Sequence, residues 1–151
     1  MLKKIVGTIW RNLTPSLRGK VVRLTQNQFT VSVAAVVTNH QGEVLLLDHV
    51  LRTASGWGVP GGFVKHGEQP ETAVRRELRE ETGIELSGVK LFSTRTINRH
   101  IEILFRAESN DHASVKSREI NAVGWFKLDE MPESVSRMQK SVIEKLLEDS
   151  L

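Results

Sequence analysis

The chain has 151 residues, 39% hydrophobic and 26% charged, the balance of a folded globular domain with enough apolar material for a core. It contains no cysteine, which excludes a disulfide framework, a thiolate metal site and a cysteine nucleophile. The formal net charge is +3, but Lys3, Lys4, Arg11, Arg18, Lys20 and Arg23 precede the first acid, Glu43, so the leading segment is basic and the remainder acidic.

Residues 1–28 read as a basic helical leader. Leu2, Ile5, Val6, Ile9, Trp10 and Leu13 recur at helical spacing. Thr14-Pro15 then supplies an N-cap and a proline at the first helical position, opening a second helix with Leu17, Val21 and Leu24 inward. The expectation is an amphipathic arm packed on the domain or on a twin subunit of a homodimer. Contact with nucleic acid or an anionic membrane is the lesser alternative, because the segment has no long Lys/Arg run. The IVGTIW stretch is too short for a signal-peptide core, and no apolar run approaches the roughly 20 residues of a membrane span. A cytoplasmic location is therefore expected.

FTVSVAAVVTN (29–39) is valine-rich and alternating, a strand. NHQGE turns, and EVLLLDHVL (43–51) returns as a second strand. Both are apolar on two faces, which predicts a central hairpin. RTASGWGVPGGFVKHGEQP (52–70) is dense in glycine and proline, with Trp57, Val59, Phe63 and Val64 interleaved, and reads as a shaped loop. A helix is expected from Pro70 to Thr82, with Gly83 as its stop. Strands are expected near 88–97, 100–107 and 120–128. A last helix is expected over Glu133–Asp149, with Val135, Met138, Val142 and Leu146 inward. Strands with helices between and after them imply an α/β domain over 29–151, a sheet covered by helices.

In RRELREET (75–82), Glu77, Glu80 and Glu81 stand at i, i+3 and i+4, one face of the helix. Like charges so placed cost about 0.2–0.5 kcal/mol per pair. Val74 and Leu78 border this acidic strip, Arg75 and Arg79 lie opposite, and Arg76 flanks Glu80. Glutamates beside a packed face are costly without partners. Clustered hard oxygen donors ask for a hard cation, and magnesium fits best because it shares its shell with water and phosphate. Taken alone, the six residues Arg76–Glu81 also read as a solvated charged face.

Its surroundings narrow the choice. From Gly62 the chain runs glycine, five residues, Glu68, seven residues, then Arg76-Glu77-Leu78, one residue, Glu80-Glu81, one residue, Gly83-Ile84, with Pro60-Gly61 in front. This resembles the Nudix box at every defined position, and the resemblance extends over about residues 29–150. It implies an α/β/α sandwich around a curled mixed β-sheet, with the box as a loop–helix–loop. It further implies a magnesium- or manganese-dependent hydrolase in which water attacks phosphorus in a nucleoside diphosphate linked to another group. Carried onto this chain, the resemblance makes Glu80 and Glu81 the principal metal ligands and Glu77 a further ligand or the base. The Gly61 carbonyl completes the shell and Arg76 orients the glutamates. Glu68 ties loop to helix or holds a water on a metal, and Gly62 and Gly83 are structural. Glu119 is a ligand or base, against a surface glutamate. Arg52 is a phosphate-binding cation, against a solvated arginine. Trp57 stacks on a base, against a loop anchor. His66, Arg99 and His100 are within the range of residues that reach a ligand, but read as exposed polar groups.

Subfamily signatures are mostly missing. Residues 85–103 lack the proline of ADP-ribose hydrolases, the chain lacks the tyrosine usual in dinucleoside polyphosphate hydrolases, and the coenzyme A signature is absent. Elimination leaves a nucleoside triphosphate or a nucleotide-sugar-like substrate. No Ser–His–Asp arrangement is evident, Gly61-Gly62 lacks the GK[ST] of a P-loop, and isomerisation of the isopentenyl-diphosphate type uses a cysteine this chain does not have. The remaining alternative is a sensor module that binds nucleotide or RNA without turnover. Such modules usually carry a broken box, and this one is intact.

Overall fold

The computed structural model of the protein describes residues 2–51 and 56–148. They fall in two compact units, Met1–Thr30 and Val31–Leu151. Among the described residues no helix is long and apolar enough to cross a membrane.

The first unit is a helical pair, α1 (Leu2–Asn12) and α2 (Pro15–Thr25). Thr14 caps α2, its hydroxyl accepting from the Leu17 N–H at 3.4 Å, and Pro15 occupies the first turn, where its missing N–H costs nothing. The carbonyls that end α1 have no partner within that helix. Arg18 supplies one, donating to Trp10 O at 3.0 Å and Arg11 O at 2.6 Å, which sets the bend between the helices. The inward placement of Leu17, Val21 and Leu24 does not hold, since α2 buries no residue and all three are exposed. Arg18, Lys20 and Arg23 are interspersed among these apolar positions, so α2 has no clean stripe to bury.

The second unit is built on a seven-stranded sheet of β1 (Thr30–Thr38), β2 (Val44–His49), β3 (Trp57–Gly58), β4 (Gly61–Phe63), β5 (Ser87–Ile97), β6 (His100–Glu108) and β7 (Ile120–Phe126). The main path runs β3-β2-β1-β6-β5, with β4 on β1 and β7 on β2. Ser32 meets His100 at one end of β1 and β6, and the Ser109 N–H donates to Thr38 O at the other. These two strands therefore run parallel within otherwise antiparallel pairings, and the sheet is mixed.

Alternation along β1 and β2 builds a core on each face. Val33, Ala35, Val37, Leu45 and Leu47 pack with Ala73, Val74 and Leu78 of α3 (Pro70–Thr82). Ala34, Val36, Val44 and Leu46 pack on the other side with Ile143 and Leu146 of α4 (Arg137–Glu148). Leu45, Leu46 and Leu47 are all fully buried, each contributing about 1.5–3 kcal/mol. The strands are thus central, as their two apolar faces predict.

Two expectations are corrected. The segment 52–70 contains short strands as well as loop, because β1 and β2 share only the Thr38–Val44 pairing near their turn and then diverge. Into the gap fit two short strands, β3 on β2 through Leu47–Gly58 and Asp48–Trp57, and β4 on β1 through Ser32–Phe63, Val33–Gly62 and Ala34–Gly61. The last helix begins at Arg137, not Glu133. A 3-10 turn over Leu128–Glu130 precedes it, and Val135 is buried from outside the helix. Ser136 stands at the helix start, its hydroxyl accepting from the Gln139 N–H at 3.3 Å. Starting there turns Met138 outward, where it is exposed. The expected terminal residue Asp149 lies outside the described residues.

Candidate active site

The divergence of β1 and β2 places the glycine pair against α3. A Cβ on Gly61 would lie 2.2 Å from Val33 O, and one on Gly62 would lie 2.4 Å from Glu77 Cδ. A side chain at Gly62 would displace the Glu77 carboxylate, so glycine there leaves that carboxylate its place beside β4. Helix α3 then runs to Thr82 and ends on Gly83 in the left-handed conformation, φ 78°, whose N–H donates to Arg79 O.

Arg76 is the centre of the charged face. Its Nε and Nη2 donate to the two Glu68 oxygens at 2.8 and 3.0 Å, a two-pronged pairing across the loop. Its Nη1 donates to Glu77 at 2.7 Å and Glu80 at 3.2 Å, and Nη2 also reaches Phe63 O at 3.1 Å. One guanidinium thus joins the end of β4, the loop and α3. Glu68 also accepts from the Lys65 N–H at 2.9 Å. Its carboxyl is held at about 2, well below the usual 4.5, first by the Arg76 hydrogen bond and then by that of Lys65. The same contacts raise the Arg76 guanidinium, chiefly through Glu68, with Glu77 second among its anionic partners.

The three glutamates form a gradient from core to solvent. Glu81 is 6% exposed, the Glu77 side chain 16% and the Glu80 side chain 53%. Lys65, which no feature of the sequence singled out, places Nζ 3.7 Å from Glu80 Oε1. A turn in which the Glu68 N–H bonds Lys65 O brings it there. On the opposite side of the helix, Arg75 pairs with Glu71 and donates to Leu86 O, and Arg79 pairs with Glu85. Those two arginines support the helix and its exit, away from the glutamates.

The other residues expected at the site make the following contacts. Trp57 is half-buried with its ring edge-on to Phe126, centroids 5.2 Å apart, the contact of a loop anchor. Glu119 is exposed in the turn before β7, its N–H bonded to Ser117 and its carbonyl accepting from Val50. Arg52 lies outside the described residues. His66 is exposed, while His100 meets Ser32 at 2.8 Å and stands edge-on to the exposed Phe63 ring.

The NUDIX domain family model matches residues 28–146. A MutT-like protein of Streptomyces ambofaciens is 37% identical over 72% of this chain and 71% of its own length. The MutT NUDIX hydrolase from Burkholderia pseudomallei superposes with a TM-score of 0.69 at 28% identity, covering 79% of this chain and 98% of that one. The NAD-capped RNA hydrolase NudC of Erwinia tasmaniensis is 26% identical over 77% of this chain, which spans 45% of the NudC length. With the box folded as described and the family model matched over most of the chain, the protein belongs to the Nudix hydrolase family.

Proteins of this family generally use a divalent metal ion. The donor set here fits one in kind, with carboxylates from Glu77, Glu80 and Glu81 on one helical strip, Gly62 against Glu77, and no cysteine in the chain. Among the described residues no three acidic or histidine side chains converge on a single ion position; Glu77 and Glu80 share Arg76, and Glu80 also faces Lys65.

Proposed function

We propose that residues 29–151 form a metal-dependent pyrophosphohydrolase acting on a nucleoside diphosphate linked to another group, with residues 1–28 as a separate leader. The observation that carries this reading is the unbroken box in which Glu77 lies against Gly62 and is bridged by Arg76 to both Glu68 and Glu80. Glu77, Glu80, Glu81 and the Gly61 carbonyl would hold magnesium or manganese, which when bound neutralises phosphate charge and acidifies water. In this assignment a water oxygen attacks phosphorus, the anhydride P–O bond breaks, and the phosphate oxygen carries the charge away. The Glu77 carboxylate takes the proton from the water, with Glu119 as the other candidate base. Arg76 is a positioning residue. It holds Glu77 and Glu80 in place while its own fork is fixed by Glu68. Arg52 and Trp57 remain proposed substrate contacts, and for Trp57 the packing on Phe126 favours the anchoring role.

Elimination by subfamily signature favours a nucleoside triphosphate or a nucleotide-sugar-like substrate. The activity for which NudC is named adds NAD-capped RNA to the substrates worth testing. We place the activity in the cytoplasm, where such nucleotides are made and consumed. The test is phosphate, pyrophosphate and mononucleotide release from canonical and oxidised nucleoside triphosphates, ADP-ribose, nucleotide sugars, dinucleoside polyphosphates, NADH and NAD-capped RNA. Each is assayed with magnesium and then manganese, with Glu80→Gln as the blank. Turnover of one class that disappears in the blank is expected. Near-wild-type rates in Glu80→Gln would sink the ligand assignment, and nucleotide binding without release by the folded protein would turn the reading to a sensor.

A further inference from the structure

None of the residues assigned to hydrolysis lies on helix α1. At 3.6 residues per turn its apolar residues Ile5, Val6, Ile9 and Trp10 fall within an arc of about 140°. Lys4 and Arg11 stand at the middle of the opposite face, and Lys3 borders Trp10. The apolar residues are not buried: Ile5 is 51% exposed, Val6 57%, Ile9 58% and Trp10 39%. A helix of 11 residues is marginal alone in water, yet this one is held by Arg18, which bonds its last carbonyls. The face is therefore formed before anything covers it.

We propose that α1 docks the protein on a bilayer surface bearing anionic phospholipid, with the apolar arc in the interface and the lysines and arginines at the headgroups. A helix whose surface divides sharply into an apolar arc and a cationic side, with neither predominating, has the profile of one that lies in the interface plane. The leader holds six cations and no acid, so the charge that complements it is negative and laid over an extended surface. A second copy of this chain would bring the same six cations against it. A phosphate backbone would satisfy the charges but leave the apolar arc in water. Trp10, at the edge of the arc next to Lys3, has an apolar ring and an N–H donor, the combination that settles at headgroup depth.

The test uses the full chain in co-sedimentation with vesicles of phosphatidylcholine alone and of phosphatidylcholine mixed with phosphatidylglycerol. Binding to the mixed vesicles only, released by added salt, is expected. Ile9→Glu, and separately Lys4→Glu with Arg11→Glu, should each drop the bound fraction to background while circular dichroism and melting stay unchanged. Tryptophan emission should shift to the blue on binding, and Trp10→Phe should remove that shift. The proposal is overturned if folded protein stays in the supernatant, if it binds both vesicle types equally, or if Ile9→Glu binds like the parent. It is equally overturned by a dimer that Ile9→Glu splits and that ignores vesicles, or by retention on RNA but not on lipid.

Discussion

Helices α1 and α3 are both short and amphipathic, and they end in opposite situations. Helix α3 lays Ala73, Val74 and Leu78 against β1 and β2, and its charges of both signs are tied to one another and to the neighbouring loop. Helix α1 leaves Ile5, Val6 and Ile9 exposed and carries charge of one sign only. An apolar stripe specifies a face without specifying its occupant. For α3 the occupant is supplied by the chain itself, a sheet with alternating valines and leucines. For α1 the sign of the charge is what points to an occupant.

The contrast can be broken by matched substitutions. Leu78→Ala should cost about 2–5 kcal/mol in denaturant unfolding, because a fully buried side chain leaves a cavity between α3 and the sheet. A loss below about 1 kcal/mol would mean that α3 is less firmly seated than its burial implies. Gly62→Ala should lower turnover by about 10²-fold with little change in melting, since its methyl displaces the Glu77 carboxylate. Unchanged kinetics would separate Glu77 from the reaction. Glu68→Gln tests the electrostatic part of the comparison. The Glu68 carboxyl is depressed from 4.5 to about 2 in the folded protein, so the unfolded chain binds more protons between those values. Its contribution is fully present above pH 4.5 and is lost as pH falls toward 2. Melting curves of Glu68→Gln should therefore lie below the parent at neutral pH and fall less steeply across that window, whereas parallel curves would remove Glu68 from the acid response. The smallest effect belongs to the leader, where Leu24→Ala should shift stability by no more than about 0.5 kcal/mol, because an exposed leucine has little contact to lose. A loss of the size expected for Leu78 would show that Leu24 is covered in solution.

The sequence made some of this legible and hid the rest for physical reasons. β1 and β2 were readable because every residue in them reports a face, as Val33 and Ala34 show by entering different cores. The α3 boundaries were readable because Pro70 and Gly83 are local signals. β3 and β4 were not, since they exist only where two separated strands diverge and offer free edges, a tertiary fact that two- and three-residue segments cannot announce. The start of α4 was marked by Ser136 with Gln139 three residues on, a capping pattern masked by the Val135 periodicity. At the candidate site, spacing put Glu77, Glu80 and Glu81 on one strip, but not the gradient of burial from Glu81 to Glu80. Nor did it reveal Lys65 beside Glu80, because loop geometry sets that distance.

The placement of β7 bears on how the chain assembles. It fills the outer edge of β2 along Val44–Phe126, Leu45–Trp125 and Leu46–Gly124, joining segments from opposite ends of the second unit. During synthesis the hairpin and α3 emerge early, while that edge waits for residues made much later, exposing a row of free backbone donors and acceptors meanwhile. Such distant pairing makes for slow closure. A nascent chain halted before Ile120 would present an unpaired leucine-rich strand, the sort of target that chaperones are built to hold.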